Sequence, residues 1–145
     1  MKISTKGRYA LRMLLDLAEH QGEGFIALKE VAKRQDISKQ YLEHIVSLLN
    51  TSNILRAGRG KQGGYMLARA PEEYTVGQIL RVTEGCLAPV TCLEQDINNC
   101  HRADLCKTLP IWRGLYKVIL EYLDNITLRD VLDQYAKKSS DNYVI

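Results

Sequence analysis

Cys92, Cys100 and Cys106 fall within fifteen positions of one another, and the residues between them are mostly polar. Thiols so spaced on one segment can wrap a small inorganic centre, form a reversible disulfide or supply a nucleophile, whereas buried structural cysteines have apolar neighbours. Cys86, His101, Glu94 and Asp104 lie close by in sequence and could complete a ligand set. Cys86 follows Gly85 at a helix end, where the simplest expectation is a small packed residue. Zinc could take three thiolates and His101, although the paired Cys-x-x-Cys knuckles of such sites are absent. Cys106 with His101 as base could serve catalysis, but nothing supplies an oxyanion hole or substrate pocket. His20 and His44 are distant from the thiols and read as surface residues, and Trp112 as packing.

The chain of 145 residues is long enough to bury a core without disulfides. It contains neither a signal-peptide-like start nor eighteen consecutive apolar residues, so the expectation is a soluble cytoplasmic protein with no membrane role. Cytoplasmic thiols stay reduced, which favours metal or redox chemistry over a disulfide scaffold. The net charge of +3 is unevenly spread. Residues 1–70 carry twelve Lys/Arg against six Asp/Glu, whereas residues 71–145 carry eight against eleven, so the positive half should face a polyanion.

Periodicity explains what that half is. After Lys6-Gly7, residues Tyr9, Ala10, Met13, Leu14, Leu17 and Ala18 mark one apolar helical face, ending near Gly22. A short helix from about Leu28 to Arg34 is followed by Ile37 at a corner. Ser38 then caps a third helix to about Asn50, with Leu42, Ile45, Val46 and Leu49 inward. The tight turn between the last two suits a helix-turn-helix. Lys39, Gln40, Glu43 and His44 remain exposed in its first turns, where Gln can pair with adenine and Glu can accept from a cytosine amino group. Residues 54–67 read as two short strands around a basic, glycine-rich tip with Arg59, Gly60 and Lys61, a wing suited to phosphates or a narrow minor groove. A phosphate-cradling loop fits poorly, since the Gly-Lys-Ser/Thr ending is absent.

Thr75 to Gln78 resembles a capping box opening a helix to Gly85. Beyond the cysteines, Thr108 is a candidate N-cap for a long helix whose apolar residues Ile111, Trp112, Leu115, Tyr116, Val118, Ile119, Tyr122 and Leu123 cover more than one stripe. One face should pack on its own domain and the other on a partner subunit. Thr127 to Asp130 opens a last short helix to about Ala136. The expected division is a winged helix-turn-helix over 1–85, a cysteine loop over 86–107, a dimerisation helix and short C-terminal helix over 108–136, and a flexible tail over 137–145. The fold class is mainly α with a small β-hairpin wing.

The opening Met1-Lys-Ile-Ser-Thr-Lys-Gly-Arg-Tyr-Ala10, the run Ser38-Lys39-Gln40-Tyr41-Leu42-Glu43, Arg59-Gly60-Lys-Gln-Gly63-Gly64-Tyr65 and Asn125-Ile-Thr-Leu128 together carry a resemblance. Up to about residue 135 the chain is similar to the family of winged-helix regulators that includes the iron–sulfur cluster regulator IscR, the nitric-oxide sensor NsrR and the cysteine-metabolism repressor CymR, with the strongest likeness to the cluster-binding IscR type. The resemblance implies a homodimeric repressor, crossed through long helices, on palindromic double-stranded DNA operators of iron–sulfur assembly or sulfur metabolism genes. It implies base reading by Glu43, minor-groove entry by Arg59, and an iron–sulfur cluster of the [2Fe–2S] kind on Cys92, Cys100 and Cys106. Two departures stand out: Leu109 occupies the place of the IscR histidine ligand, which leaves the fourth ligand open among Cys86, His101, Glu94 and Asp104, with Cys86 giving the all-thiolate site that iron–sulfur centres favour, and seven residues instead of five separate Cys92 from Cys100. Relatives that borrow an acidic ligand from the partner's first helix give no substitute, since that stretch here holds Arg8 and Arg12. The likeness to CymR leaves open a regulator without a cluster, controlled by a cysteine redox switch or by a metabolic enzyme partner.

Overall fold

Ser4 begins the first helix, α1 (Thr5–Glu19), by accepting a hydrogen bond at Oγ from the Gly7 N–H. Its hydroxyl in turn donates to Glu84 Oε1 at 2.6 Å. The helix therefore starts ahead of Lys6-Gly7, because a cap tied into the tertiary structure overrides the low helical propensity of glycine. The computed structural model describes residues 1–142. After α1 come α2 (Leu28–Gln35), α3 (Lys39–Thr51), β1 (Leu55–Gly58), β2 (Gly64–Leu67), α4 (Val76–Glu84), α5 (Leu109–Asp124) and α6 (Leu128–Asp141), with three-residue 3-10 turns at Pro71–Glu73, Thr91–Leu93 and Ala103–Leu105.

The core forms where the predicted faces of α1, α2 and α3 meet. Ala10, Met13, Leu14, Leu17, Val31, Leu42, Ile45 and Leu49 are all buried, and Ile54, Leu67, Ile79 and Leu128 close it from the strands, α4 and α6. Tyr74 is completely buried among them. Its hydroxyl donates to Ile54 O at 2.9 Å and accepts from the Arg69 N–H at 2.9 Å, so the polar tip of an otherwise apolar payload is satisfied. The strands pair antiparallel in the register Leu55 with Leu67 through Gly58 with Gly64. Ile26 adds a bridge to Tyr65 on the outer edge of β2.

Thr75 caps α4 by accepting from the Gln78 N–H, while Thr127 and Asp130 form a reciprocal capping box for α6. A backbone bridge between Thr75 and Thr127 sets these two helix starts side by side. α5 leaves the winged domain and buries only Leu109 fully. Ile111, Leu115, Val118 and Tyr122, at alternating spacings of four and three, are 60%, 43%, 61% and 66% exposed and form one uncovered apolar stripe.

Three expectations need correction. α6 does not stop near Ala136 but continues to Asp141, so most of the expected tail from Lys137 is helical. Once nucleated by a full capping box, a polar run containing Ala and Lys propagates helix without an apolar stripe to announce it. The last part of that tail, 143–145, lies outside the described residues. Thr108 flanks α5 but makes no side-chain cap, because its backbone is already helical (φ −93°, ψ −13°) and its hydroxyl turns to Cys106 Sγ at 3.4 Å. Cys86 is exposed, not packed: Gly85 at φ 78° ends α4 and turns the chain outward there. No helix among the described residues is long and apolar enough to cross a membrane.

Candidate DNA interface and cysteine connector

The N-terminal turns of α3 and the tip of the β1–β2 hairpin carry the residues expected to face DNA. Ser38 Oγ accepts from the Tyr41 N–H at 3.1 Å, which fixes where α3 begins. Ser38, Lys39, Gln40, Glu43 and His44 are all exposed beyond the buried Leu42. Lys39 Nζ lies 3.6 Å from Glu43 Oε1, an exposed i,i+4 pair that steadies the glutamate one turn into the helix. Tyr41 is placed differently from its neighbours: half-buried, it meets Tyr9 of α1 edge to face, with ring centres 5.5 Å apart. It braces α3 against α1 and lines a hollow together with Ser38, Gln40 and His44.

At the wing, Arg59, Gly60 and Lys61 are exposed. Gly60 has φ 93°, a conformation that side-chain-bearing residues rarely adopt, and its carbonyl accepts from the Gly63 N–H at 3.0 Å to close the tip. The wing is anchored at Ile26, whose N–H and C=O both pair with Tyr65, and by the Phe25 ring lying against Gly58. Sequence reasoning missed this anchor. Its only signal was an apolar Phe25-Ile26 pair directly after Gly22 and Gly24.

Beneath these surfaces an ionic brace sets the helix-turn-helix angle. Asp16, almost fully buried on α1, receives Arg34 Nε and Nη2 and the Gln35 side-chain amide, at 2.6–3.2 Å. Burial opposes its charge most strongly, but the hydrogen bonds from Arg34 and Gln35 outweigh that and hold the carboxyl below its ordinary value. Arg12 donates to the Gln35 carbonyl, a helix-end acceptor left without an intrahelical partner, while its guanidinium lies 5.1 Å from the Tyr9 ring centre. Asp36 then takes a left-handed conformation at φ 52°, and Ile37 folds back into the core.

The connector between α4 and α5 carries four free thiols. Cys92 sits in the 3-10 turn Thr91–Leu93, and Cys106 ends the turn Ala103–Leu105. Cys92 and Cys100 line one open hollow of about 370 Å³ together with Thr91, Glu94, Gln95, Ile97 and Asn99. Cys106 is placed apart from it, its thiol held below the usual range chiefly by the Thr108 hydroxyl and then by backbone N–H groups. Cys86 Sγ accepts from the Ala88 N–H at 3.3 Å and lies 3.8 Å from Tyr116 Oη on α5. Burial, and next Cys86, push the Tyr116 hydroxyl up. His101, Glu94 and Asp104 are exposed, and Leu109 is buried in the helix start.

Among the described residues no group of three or more His, Cys, Asp or Glu side chains is close enough to hold a metal ion, so the three expected ligands are near in sequence but not gathered. The donor chemistry nevertheless fits a soft iron centre: three free thiols on one short connector, one of them biased towards thiolate. The Asn98 Nδ2 amide is shut off from solvent and has no hydrogen-bond partner among the described residues, an unusual state for a buried donor.

Comparisons with known proteins agree with this architecture. Residues 3–134 match the Rrf2 family model, described as an iron-dependent transcriptional regulator. The chain is 38% identical to the HTH-type transcriptional regulator CymR of Bacillus subtilis over 99% of its own length and 98% of the relative's. The solved structure of that global cysteine regulator superimposes with a TM-score of 0.77 at 36% identity, covering 92% of this chain and 98% of the other. The structure of T. potens IscR gives 0.73 at 38% identity, covering 93% and 88%. Winged helix, basic wing and family match converge: the chain is no enzyme but a transcriptional regulator belonging to the Rrf2 family.

Proposed function

We propose that this regulator is a homodimeric repressor that binds a palindromic operator and responds to an iron–sulfur centre held by Cys92, Cys100 and Cys106, at genes of iron–sulfur assembly or sulfur metabolism. The observation that carries the reading is the placement of three free cysteines on the connector between α4, which packs into the winged domain, and α5, whose apolar stripe is uncovered. An iron–sulfur centre supplies a site whose loading and electron count depend on iron and oxidants.

The chain's own residues account for the rest. The stripe of Ile111, Leu115, Val118 and Tyr122 suits a second copy of α5, in an arrangement that sets the distance between two winged domains. Glu43, Gln40, Lys39 and His44 offer base and phosphate contacts in the major groove, with Ser38 and Tyr41 fixing the helix start. Arg59, Gly60 and Lys61 follow the backbone or enter the minor groove. Because half-sites sit one helical turn apart, roughly 34 Å, a small change at the α4–α5 junction displaces one contact set relative to the other. The connector ends on both sides of that junction, at Gly85 and at Leu109, so ordering its thiols bears directly on operator affinity.

A second reading is favoured by a specific observation. Leu109 is buried and cannot ligate, the thiols are not gathered, and likeness to CymR spans nearly all of both chains. A regulator without a cluster, controlled by cysteine oxidation or an enzyme partner, fits those facts. Anaerobic purification with a visible spectrum and iron and sulfide assays separates the two. Coloured protein with stoichiometric iron and sulfide, lost in the triple Cys→Ser variant together with the change in operator affinity, supports the first. Colourless, iron-poor protein whose operator binding ignores the triple replacement refutes it.

A further inference from the structure

The end of α4 and the start of α1 share one carboxylate. Glu84, the last residue of α4, accepts at Oε1 from the Ser4 hydroxyl at 2.6 Å and from the Ser4 N–H at 3.2 Å. Ser4 caps α1, and its Oγ accepts from the Gly7 N–H, so one chain of hydrogen bonds runs from Glu84 into the first turn of that helix. α1 has no acidic residue in its first turn, and Glu84 supplies from outside the negative charge that a helix N-terminus favours. Gly7 is buried beneath it, and a Cβ there would run into Glu84 Oε1. Glycine is a poor choice within a helix, but here its bare Cα leaves a seat for the carboxylate.

What lies on either side of this seat gives it a role. Directly after Glu84, Gly85 at φ 78° turns the chain into the cysteine connector, where Cys86 Sγ accepts from the Ala88 N–H and lies beside Tyr116 Oη of α5. In the other direction α1 continues to Tyr9, whose ring meets Tyr41 of α3, and to Arg12, which donates to the Gln35 carbonyl at the end of α2. A polar link, added to the apolar packing of α1 on α4, thus joins the start of the connector to the helix-turn-helix.

We propose that Glu84 is a positioning residue for operator binding. Seated on Ser4 and Gly7, it holds the first turn of α1, and displacement of the chain at Gly85 and Cys86 withdraws it, loosening the α1 contacts that support α3 and the end of α2. The link operates whatever the other thiols hold, so it goes beyond the iron–sulfur reading and does not depend on it.

The test uses full-length protein with Cys92, Cys100 and Cys106 replaced by serine, which leaves Cys86 as the only thiol, and a fluorescent DNA duplex that this same protein selects from random sequence. Glu84→Ala should weaken binding by about 5-fold or more, whereas Glu84→Gln, which keeps an oxygen to accept from Ser4, should stay within about 2-fold. Both variants remove the same charge, so general repulsion from DNA cannot separate them. Gly7→Ala should reproduce the loss while Glu84 is present and add nothing once residue 84 is alanine. Modifying Cys86 with N-ethylmaleimide should weaken binding in the protein that keeps Glu84 and leave Glu84→Ala at its already reduced affinity. Equal affinities for Glu84→Ala and Glu84→Gln overturn the inference, as does a Gly7→Ala loss that persists in full without Glu84. A maleimide effect that is the same in both proteins, or absent from both, means that the connector does not act through Glu84, and overturns it as well.

Discussion

Arg81 of α4 and Asp124 of α5 meet through two parallel hydrogen bonds, Nη1 to Oδ1 at 2.6 Å and Nη2 to Oδ2 at 2.7 Å. Gly77 lies behind them, and a Cβ there would run into Asp124 Oδ1, so a side chain at 77 would push the Asp124 carboxylate off its place against Arg81. Both partners are 41% exposed, and solvent screening limits the pair to about 0–1 kcal/mol of stability. Its expected geometric effect is larger, because it ties the last residue of α5 to α4 and so bears on how α5 stands against the winged domain. Asp124→Ala should therefore shift a urea melt only slightly while weakening operator binding several-fold. Equal, small losses in both measurements would show that the pair does not govern how α5 stands. The hydrogen bond from Arg81 keeps the Asp124 carboxyl below its ordinary value. The contribution is thus present above the unfolded-state value, about 3.9, and disappears as pH falls through the lower folded value.

Asp16 presents the opposite balance. It is only 2% exposed, and its carboxylate takes its hydrogen bonds from Arg34 and Gln35 of α2, with His20 Nδ1 3.8 Å from Oδ1. Asp16→Ala strands the Arg34 guanidinium and the Gln35 amide over the helix-turn-helix. The expected loss is about 3 kcal/mol, at the lower end for a broken buried pair because Arg34 can still reach water. Chemical denaturation at neutral pH measures it. Because the folded carboxyl is depressed, the wild type should lose this stability only as pH drops below the ordinary aspartate range, and the variant should lack that acid-side slope.

How far these features were legible depends on whether their cause is local. Leu42, Ile45, Val46 and Leu49 announce α3 by spacing, Ser38 announces its start, and the glycines around Arg59 and Lys61 announce the wing. The exposed stripe on α5 follows from counting apolar residues that one core cannot cover. Other features are made by tertiary structure. Neither the buried Asp16–Arg34 pair nor the Tyr74 hydroxyl between Ile54 and Arg69 has a periodic signature, since each joins segments distant in sequence. The Phe25-Ile26 anchor is too short to read as a strand until Tyr65 pairs with it. At the connector, residue types spoke clearly and arrangement did not: the polar loop has no repeating pattern to state where its sulfurs lie, and Leu109 faces inward where a ligand was wanted.

Val118 lies at the middle of the uncovered stripe on α5, 61% exposed and flanked by Leu115 and Tyr122. A second copy of that helix would desolvate it, and a carboxylate there could not be neutralised by the apolar residues around it. Val118→Asp should therefore yield a monomer by sedimentation equilibrium at concentrations where wild type is a dimer. The folded monomer should melt within about 0.5 kcal/mol of wild-type intrinsic stability, since surface substitutions rarely do more. A Val118→Asp protein that still sediments as a dimer would move the subunit contact elsewhere.

Glu43 and Arg59 should fail in different ways if they read DNA by different physics. A carboxylate that accepts from a cytosine amino group contributes discrimination of about 1–3 kcal/mol at one base pair, and approach to phosphates opposes it everywhere else. Glu43→Ala should consequently leave total affinity similar while flattening preference at a single operator position. The exposed Lys39 partner 3.6 Å away then becomes free for a phosphate, which works against any loss of affinity. Arg59, at a tip whose backbone is bent outward by Gly60, contributes charge instead of pattern. Arg59→Ala should weaken all sequences together and reduce the slope of log K against log salt by about 1. Fluorescence titrations across a salt series with single-base operator variants measure both quantities at once. A uniform loss for Glu43→Ala, or an unchanged salt slope for Arg59→Ala, would remove the residue concerned from the interface described here.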